Sequence, residues 1–187
     1  IPKIGADGLR PSDAYAVPRN NAEANDTPRI AIIVTGLGIG GKTTAAAVAK
    51  LPGPVTLAFI PYACGLDTLA GTARAAGHEL LLQVPMEPLD YPDNDPGPQT
   101  LLTSLPPDQN IDRLQWAMSR MQGYVGIMNY MGARYTATEA SIAPVLKETG
   151  KRGLIYFDDA ASARSMTAQF AGANNLATAA VVQAWKW

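Results

Sequence analysis

Ile30–Thr44 reads IAIIVTGLGIGGKTT, an apolar run that breaks into glycines and resumes as an Ala-rich segment from Lys42. A strand over Ile30–Val34, a glycine-rich turn and a helix from Lys42 would offer backbone N–H groups to a ligand at the carboxyl end of an α/β sheet. Two readings compete for this stretch. Gly36, Gly41, Lys42 and Thr43 fit G-x-x-x-x-G-K-[ST], and LIYFDD, ending in Asp158 and Asp159, supplies a later strand-end carboxylate for magnesium. Alternatively the glycines only let the backbone turn tightly, and Lys42 begins an ordinary helix. The remainder of the chain decides between a P-loop ATP-binding protein and a different α/β fold.

Working outward, the segments alternate between strand and helix. Lys42–Lys50 is expected as a helix ended by Leu51, Pro52 and Gly53, and Val55–Ile60 as a strand stopped by Pro61. Leu66–Gly77 carries alanines and Leu69 on helical spacing, and His78–Val84, HELLLQV, reads as a buried strand. PMEP at Pro85–Pro88 then opens a long proline-rich stretch, and irregular segments of that length in compact domains are usually functional or disordered. The prolines favour order. Asn110–Gln122 is a helix whose Met118 and Met121 fill the core, and Tyr124–Met128 a strand. Glu139–Thr149 follows as a helix, with Thr138 as its cap and Gly150 as its terminating glycine. Gly153–Phe157 is the fifth strand, Ser162–Phe170 a helix and Thr178–Val182 a sixth strand. This alternation predicts a parallel sheet. The chain stops among Trp185, Lys186 and Trp187, so the expectation is either that the domain is truncated there or that its sheet is left open to a partner that could cover the edge.

Composition bounds the function. The 187 residues, 47% of them hydrophobic, suit one domain over 29–187, preceded by an irregular Pro-, Asn- and Asp-rich arm over 1–28 that Tyr15 and Val17 pin in part. Fifteen basic against sixteen acidic residues, with no basic block, argue against nucleic acid as a partner. One cysteine excludes an internal disulfide and a cysteine metal cluster, and one histidine leaves little for zinc or Ser-His-Asp chemistry. Cys64 is read as buried and inert, and His78, at the amino end of its strand, as structural or surface. No stretch is long and apolar enough to span a membrane, and no membrane contact is expected from the visible chain.

The candidate chemistry gathers at the strand ends: Thr35, then Tyr62, Gln83 with Glu87, Asn129 with Tyr130 and Arg134, and Asp158 with Asp159. Glu87, held between prolines, is a candidate acid, base or acceptor of its own loop's amides. Arg134 either neutralises Glu87 or Asp159 or grips an anionic substrate. One of the two aspartates is expected to face the site while the other caps the following helix.

IAIIVTGLG at Ile30, TLAFIPY at Thr56, AGHELLLQVPMEP at Ala76, DPGPQTLLTSL at Asp95, GYVGIMNYMGARYT at Gly123 and RGLIYFDDAASARS at Arg152 together resemble the divergent polysaccharide deacetylase family, the YibQ-like branch of the NodB-type carbohydrate esterases. The arm resembles the segment preceding that domain. The resemblance covers nearly the whole chain and displaces the P-loop reading, because a nucleotide-binding protein has no reason to carry PMEP, DPGP and MGARYT in this order. It implies a distorted (β/α) barrel of the NodB type, and, in better-endowed members, paired aspartates and histidines holding a divalent metal that activates water against an N-acetyl group.

Here Thr35 and Gly36 stand where the aspartates are expected, and Gln83 and Tyr130 where the histidines are. The resemblance therefore implies a metal cofactor whose ligands this chain lacks, and the expectation is of no metal and no other cofactor. Glu87, Asn129, Arg134 and Asp158 remain as candidate catalytic residues, with Glu87 or Asp158 activating water and Asn129 and Arg134 steadying an oxyanion. Thr35, Tyr62, Gln83, Tyr130, Tyr135, Asp159 and Ser165 are the candidate substrate contacts, and Tyr91 joins the tyrosines that offer flat faces to pyranose rings. The implied role lies in carbohydrate or cell-envelope metabolism, on a carbohydrate or peptidoglycan-derived ligand, in a periplasmic or exported protein with an oligomeric or envelope partner. A non-catalytic sugar-binding pseudoenzyme is its rival.

Overall fold

A computed structural model describes residues 1–18, 30–174 and 176–184, so part of the arm and the closing tryptophans lie outside the described residues. Six parallel strands run β1 (Ile33–Leu37), β2 (Thr56–Phe59), β3 (Leu80–Met86), β4 (Gly126–Met131), β5 (Ile155–Asp158) and β6 (Thr178–Ala180), paired in that order without reversal. Right-handed crossovers joining strands in unbroken order put every connecting helix on the same face, which is the winding of a barrel and not of a doubly wound sheet. Among the described residues the sheet does not close, and the fold is a distorted, incomplete (β/α) barrel.

After the short α1 (Pro11–Ala14), the helices are α2 (Gly41–Lys50), α3 (Leu66–Ala75), α4 (Pro107–Met118), α5 (Glu139–Lys151) and α6 (Thr167–Ala173). Period-two alternation divides the strand side chains. Leu57, Phe59, Leu82, Val84, Ile127 and Tyr156 face the helices in the main core, while Ala58, Leu81 and Met128 form a smaller cluster on the concave face. Met118 and Met121 are buried in the main core, as their spacing implied.

Several boundaries differ from the sequence reading. β1 begins at Ile33, not Ile30, and it contains Thr35 and Gly36. Its ladder shifts register between Val34 and Leu37, and Gly36 sits at φ 74, so a bulge that only glycine adopts readily lets the strand continue through the expected turn. β3 and β4 likewise run further toward their carboxyl ends, with Pro85 inside the sheet opposite Tyr130. Gly150 does not end α5; the helix runs on to Lys151, and Gly153, at φ 69, makes the turn. Thr138 holds the N-cap position but its hydroxyl donates to the Arg134 carbonyl, so it gives no side-chain cap.

The described part of the arm packs at the amino ends of the strands. Ser12 N–H donates to Gly153 O at 3.2 Å, Arg152 reaches Pro2 O at 3.1 Å, and Val17 N–H donates to Glu79 Oε2 at 3.2 Å. His78 at this end is completely buried, its Nδ1 2.8 Å from Val55 O, which settles it as structural and corrects the surface alternative. Cys64 is exposed, lying in the loop between β2 and α3; its expected burial is wrong.

Candidate functional site

The carboxyl ends of β1 to β5 carry three hydrogen-bonded constellations. The first joins β1 and β3. The bulge releases the Gly36 N–H from the ladder, and Gln83 Oε1, on a nearly fully buried side chain, accepts it at 2.6 Å. Thr35 is exposed beside it, and Tyr130 of β4 is half-buried on the concave face that Gln83 shares. Downstream, Gly38 N–H donates to Thr44 Oγ1 and the Thr43 hydroxyl donates to Gly40 O. The hydroxyls of the P-loop-like motif are thus spent inside the turn.

The second constellation is built on Glu87, one residue beyond β3 and 5% exposed. Its Oε2 accepts from Thr103 N–H at 2.5 Å and from the Thr103 hydroxyl at 2.8 Å, while Oε1 lies 3.4 Å from Arg134. Arg134 also donates to Leu89 O at 2.5 Å, and the Glu87 carbonyl accepts from the N–H groups of Arg134 and Tyr135. Arg134 pairs with Glu87 and not with Asp159. The carboxylate's two oxygens fasten both the long proline-rich loop and the turn after β4. Thr103 escaped sequence reasoning: it lies sixteen residues from Glu87 in an irregular loop, where no periodicity points to its partner.

The third joins β4 to β5. Asn129, wholly buried, donates from Nδ2 to Met131 O at 2.7 Å and to Asp159 Oδ1, and its Oδ1 accepts Asp159 N–H at 3.0 Å. Asp158 accepts from Ala160 N–H at 2.9 Å and from the Ser165 hydroxyl, which also lies 2.9 Å from Thr167 Oγ1. Neither aspartate caps a helix, contrary to expectation: α6 begins only at Thr167, and both carboxylates instead close turns, Asp159 through Ala161 N–H at 2.8 Å. Met131, the last residue of β4, and Ala160, two residues past β5, adopt φ of 60 and 58, and non-glycine residues in this region carry backbone strain of the kind that collects at functional sites.

Burial raises the Asp159 carboxyl to about 6, against the lowering effect of the Ala161 and Asn129 hydrogen bonds. A folded-state pKa above the unfolded value means that the native state holds the extra proton as pH rises from about 4 to about 6, so this group's stabilising contribution is complete below that window and lost across it. Asp159→Asn, which retains an acceptor for both N–H groups, is therefore expected to match the parent in Tm near pH 4 and to exceed it increasingly up to pH 7. Thermal unfolding of both proteins across that range checks the sign.

The tyrosines divide. Tyr62 is half-buried with its ring 5.8 Å from that of Trp116, its hydroxyl accepting Gln99 N–H at 3.1 Å, and a Cβ on Gly97 would come within 2.5 Å of it. It pins the long loop. Tyr91 and Tyr130 remain partly exposed, whereas Tyr135 is fully buried and presents no face to solvent. Tyr135's hydroxyl has no hydrogen-bond partner, an arrangement costing about 1–3 kcal/mol unless a water or ligand answers it. Among the described residues, no three His, Cys, Asp or Glu side chains gather where one metal ion could reach them.

Fold and site together define an incomplete (β/α) barrel with a polar, strand-end site. The divergent polysaccharide deacetylase profile matches residues 32–182, and the chain belongs to that family. The crystal structure of an uncharacterized protein from Agrobacterium tumefaciens C58 has 41% identity and a TM-score of 0.93, the match covering 97% of this chain and 73% of that one. The uncharacterized protein YibQ of Escherichia coli (strain K12) is 25% identical over 59% of this chain and 34% of its own length. An uncharacterized protein of Haemophilus influenzae (strain ATCC 51907 / DSM 11121 / KW20 / Rd) is 24% identical over 76% of this chain and 50% of its own. The matches thus span half or less of those two relatives. No helix among the described residues is long and apolar enough to cross a membrane.

Proposed function

We propose that this protein, with 29–187 as its one domain, serves carbohydrate metabolism of the cell envelope by receiving an N-acetylated sugar or peptidoglycan fragment at the strand ends without a divalent cation. The observation that carries this reading is the 2.6 Å hydrogen bond from Gly36 N–H to Gln83 Oε1. The residues do not fit the metal that the family implies: Thr35 and Gly36 bring no carboxylate, Tyr130 no imidazole, and the Gln83 oxygen is already accepting a proton donor. Family membership supports the carbohydrate ligand and the periplasmic or exported location.

Binding without turnover is the reading favoured by the carboxylates. Glu87 and Asp158 each spend both oxygens on neighbouring groups, and Asn129 has its amide committed at both ends, which leaves these candidates holding the walls in place. Metal-free hydrolysis is the second reading because of Asp159, whose carboxyl burial pushes up to about 6. It would take the proton from a water attacking the acetyl carbonyl and return it to the departing amine, giving acetate and free amine. Titration with N-acetylated chito-oligosaccharides, with acetate release followed in parallel, tests both. Saturable binding unchanged by chelator, without acetate, is expected; acetate release that a chelator abolishes would contradict the proposal.

A further inference from the structure

We propose that Gln83 reads the acetamido group of the ligand, its Nε2 donating to the acetyl carbonyl oxygen, an inference that rests on the carbohydrate reading of the strand ends given above. Gln83 is 2% exposed and lies on the concave face two residues beyond Leu81, in register with Met128 of β4. A side-chain amide carries one acceptor oxygen and two N–H donors. Gly36 N–H can only donate, so the oxygen is the atom that faces it, and this fixes where the nitrogen stands. Among the described residues, the buried side-chain nitrogens and oxygens that are both sealed from solvent and without a partner are His78 Nε2 and Tyr135 Oη. Gln83 Nε2 also has no partner among the described residues, yet it is not one of the sealed atoms, so the small area that Gln83 exposes includes this nitrogen. A buried side chain thus has its acceptor end closed and its donor end open.

The ligand atom that meets Nε2 is therefore an acceptor. A protonated amine would set donor against donor. A carboxylate or phosphate would meet Asp158 and Asp159 at the neighbouring end of β5, while Arg134, the cation among the candidate residues, is engaged by Glu87 and Leu89 O. The floor around Gln83 is apolar: Ala58, Leu81 and Met128 are buried there, with Phe157 packed against them. A neutral carbonyl oxygen with a methyl group beside it answers both the open donor and the apolar floor.

Calorimetric titration of the whole chain with tri-N-acetylchitotriose and with its deacetylated counterpart, chitotriose, tests this. The parent is expected to favour the acetylated sugar about tenfold. Gln83→Glu retains an oxygen for Gly36 N–H but turns an acceptor toward the ligand. It should bind the acetylated sugar about tenfold more weakly and chitotriose no more weakly than the parent does, with a Tm close to the parent's. The comparison of the two sugars on the parent needs no variant and decides the matter even where Gln83→Glu does not fold. Equal or reversed preference in the parent would overturn the proposal while leaving strand-end binding intact. So would an unchanged preference in Gln83→Glu, or a parallel weakening of both sugars, which is what a purely structural role produces. Failure of the parent to bind either sugar would overturn this proposal together with the carbohydrate reading.

Discussion

Gly126→Ala is expected to destabilise the protein by about 3 kcal/mol or more, lowering Tm by roughly 10 °C, or to prevent folding altogether. Gly126 begins β4 between Leu81 of β3 and Ile155 of β5. An added Cβ would stand 2.5 Å from the Ile155 carbonyl oxygen and 3.1 Å from its carbon. These are backbone atoms of a paired strand, so they cannot rotate aside as a long side chain can. Relief requires β4 and β5 to separate, which breaks the ladder that aligns Asn129 with Asp159. A thermal melt within a few degrees of the parent would refute this account of the strand packing. Gly36→Ala makes the informative control: its Cβ meets nothing within 4 Å, so it suffers only the positive φ, about 1 kcal/mol.

Glu87→Ala should be the most damaging substitution in the site itself, at about 3 kcal/mol, with early proteolysis of the long loop. The estimate rests on which partner matters. Arg134 is 46% exposed on its side chain and 3.4 Å away, so its ion pair contributes at most about 1 kcal/mol. Thr103 gives the carboxylate two donors, at 2.5 and 2.8 Å, and truncating Glu87 strands both in a part-buried position. The expected order is therefore Glu87→Ala worst, Thr103→Val intermediate and Arg134→Ala mildest. Chemical denaturation of the three variants reads the order directly, and a cost for Arg134→Ala equal to that of Glu87→Ala would place the weight on the ion pair instead.

What the sequence revealed and what it hid follow from the range of the forces involved. Strand and helix alternation survives in local apolar patterning, so the parallel sheet, its six strands and the core methionines were legible. The first strand was misplaced because its glycines signal a turn locally, whereas the sheet overrides that preference with a bulge and a hydrogen bond from a residue 47 positions away. The same limit hid Thr103 behind Glu87 and left Gly150 looking like a helix end, since what competes with each local signal is a contact made only in the folded chain. Exposure of Cys64 depends on what covers its loop, which no neighbouring residue encodes. The candidate strand-end residues were legible as a set, because parallel winding brings strand ends together whatever their separation in sequence.

The central claim is that the strand ends work without a divalent cation, and zinc-edge anomalous scattering from crystals soaked in zinc tests it most directly. The structure predicts no ordered peak among Thr35, Gln83, Tyr130 and Asp158, with Gln83 still accepting the Gly36 N–H. A fully occupied ion there, coordinated by protein atoms and with Gln83 turned away from Gly36, would contradict it.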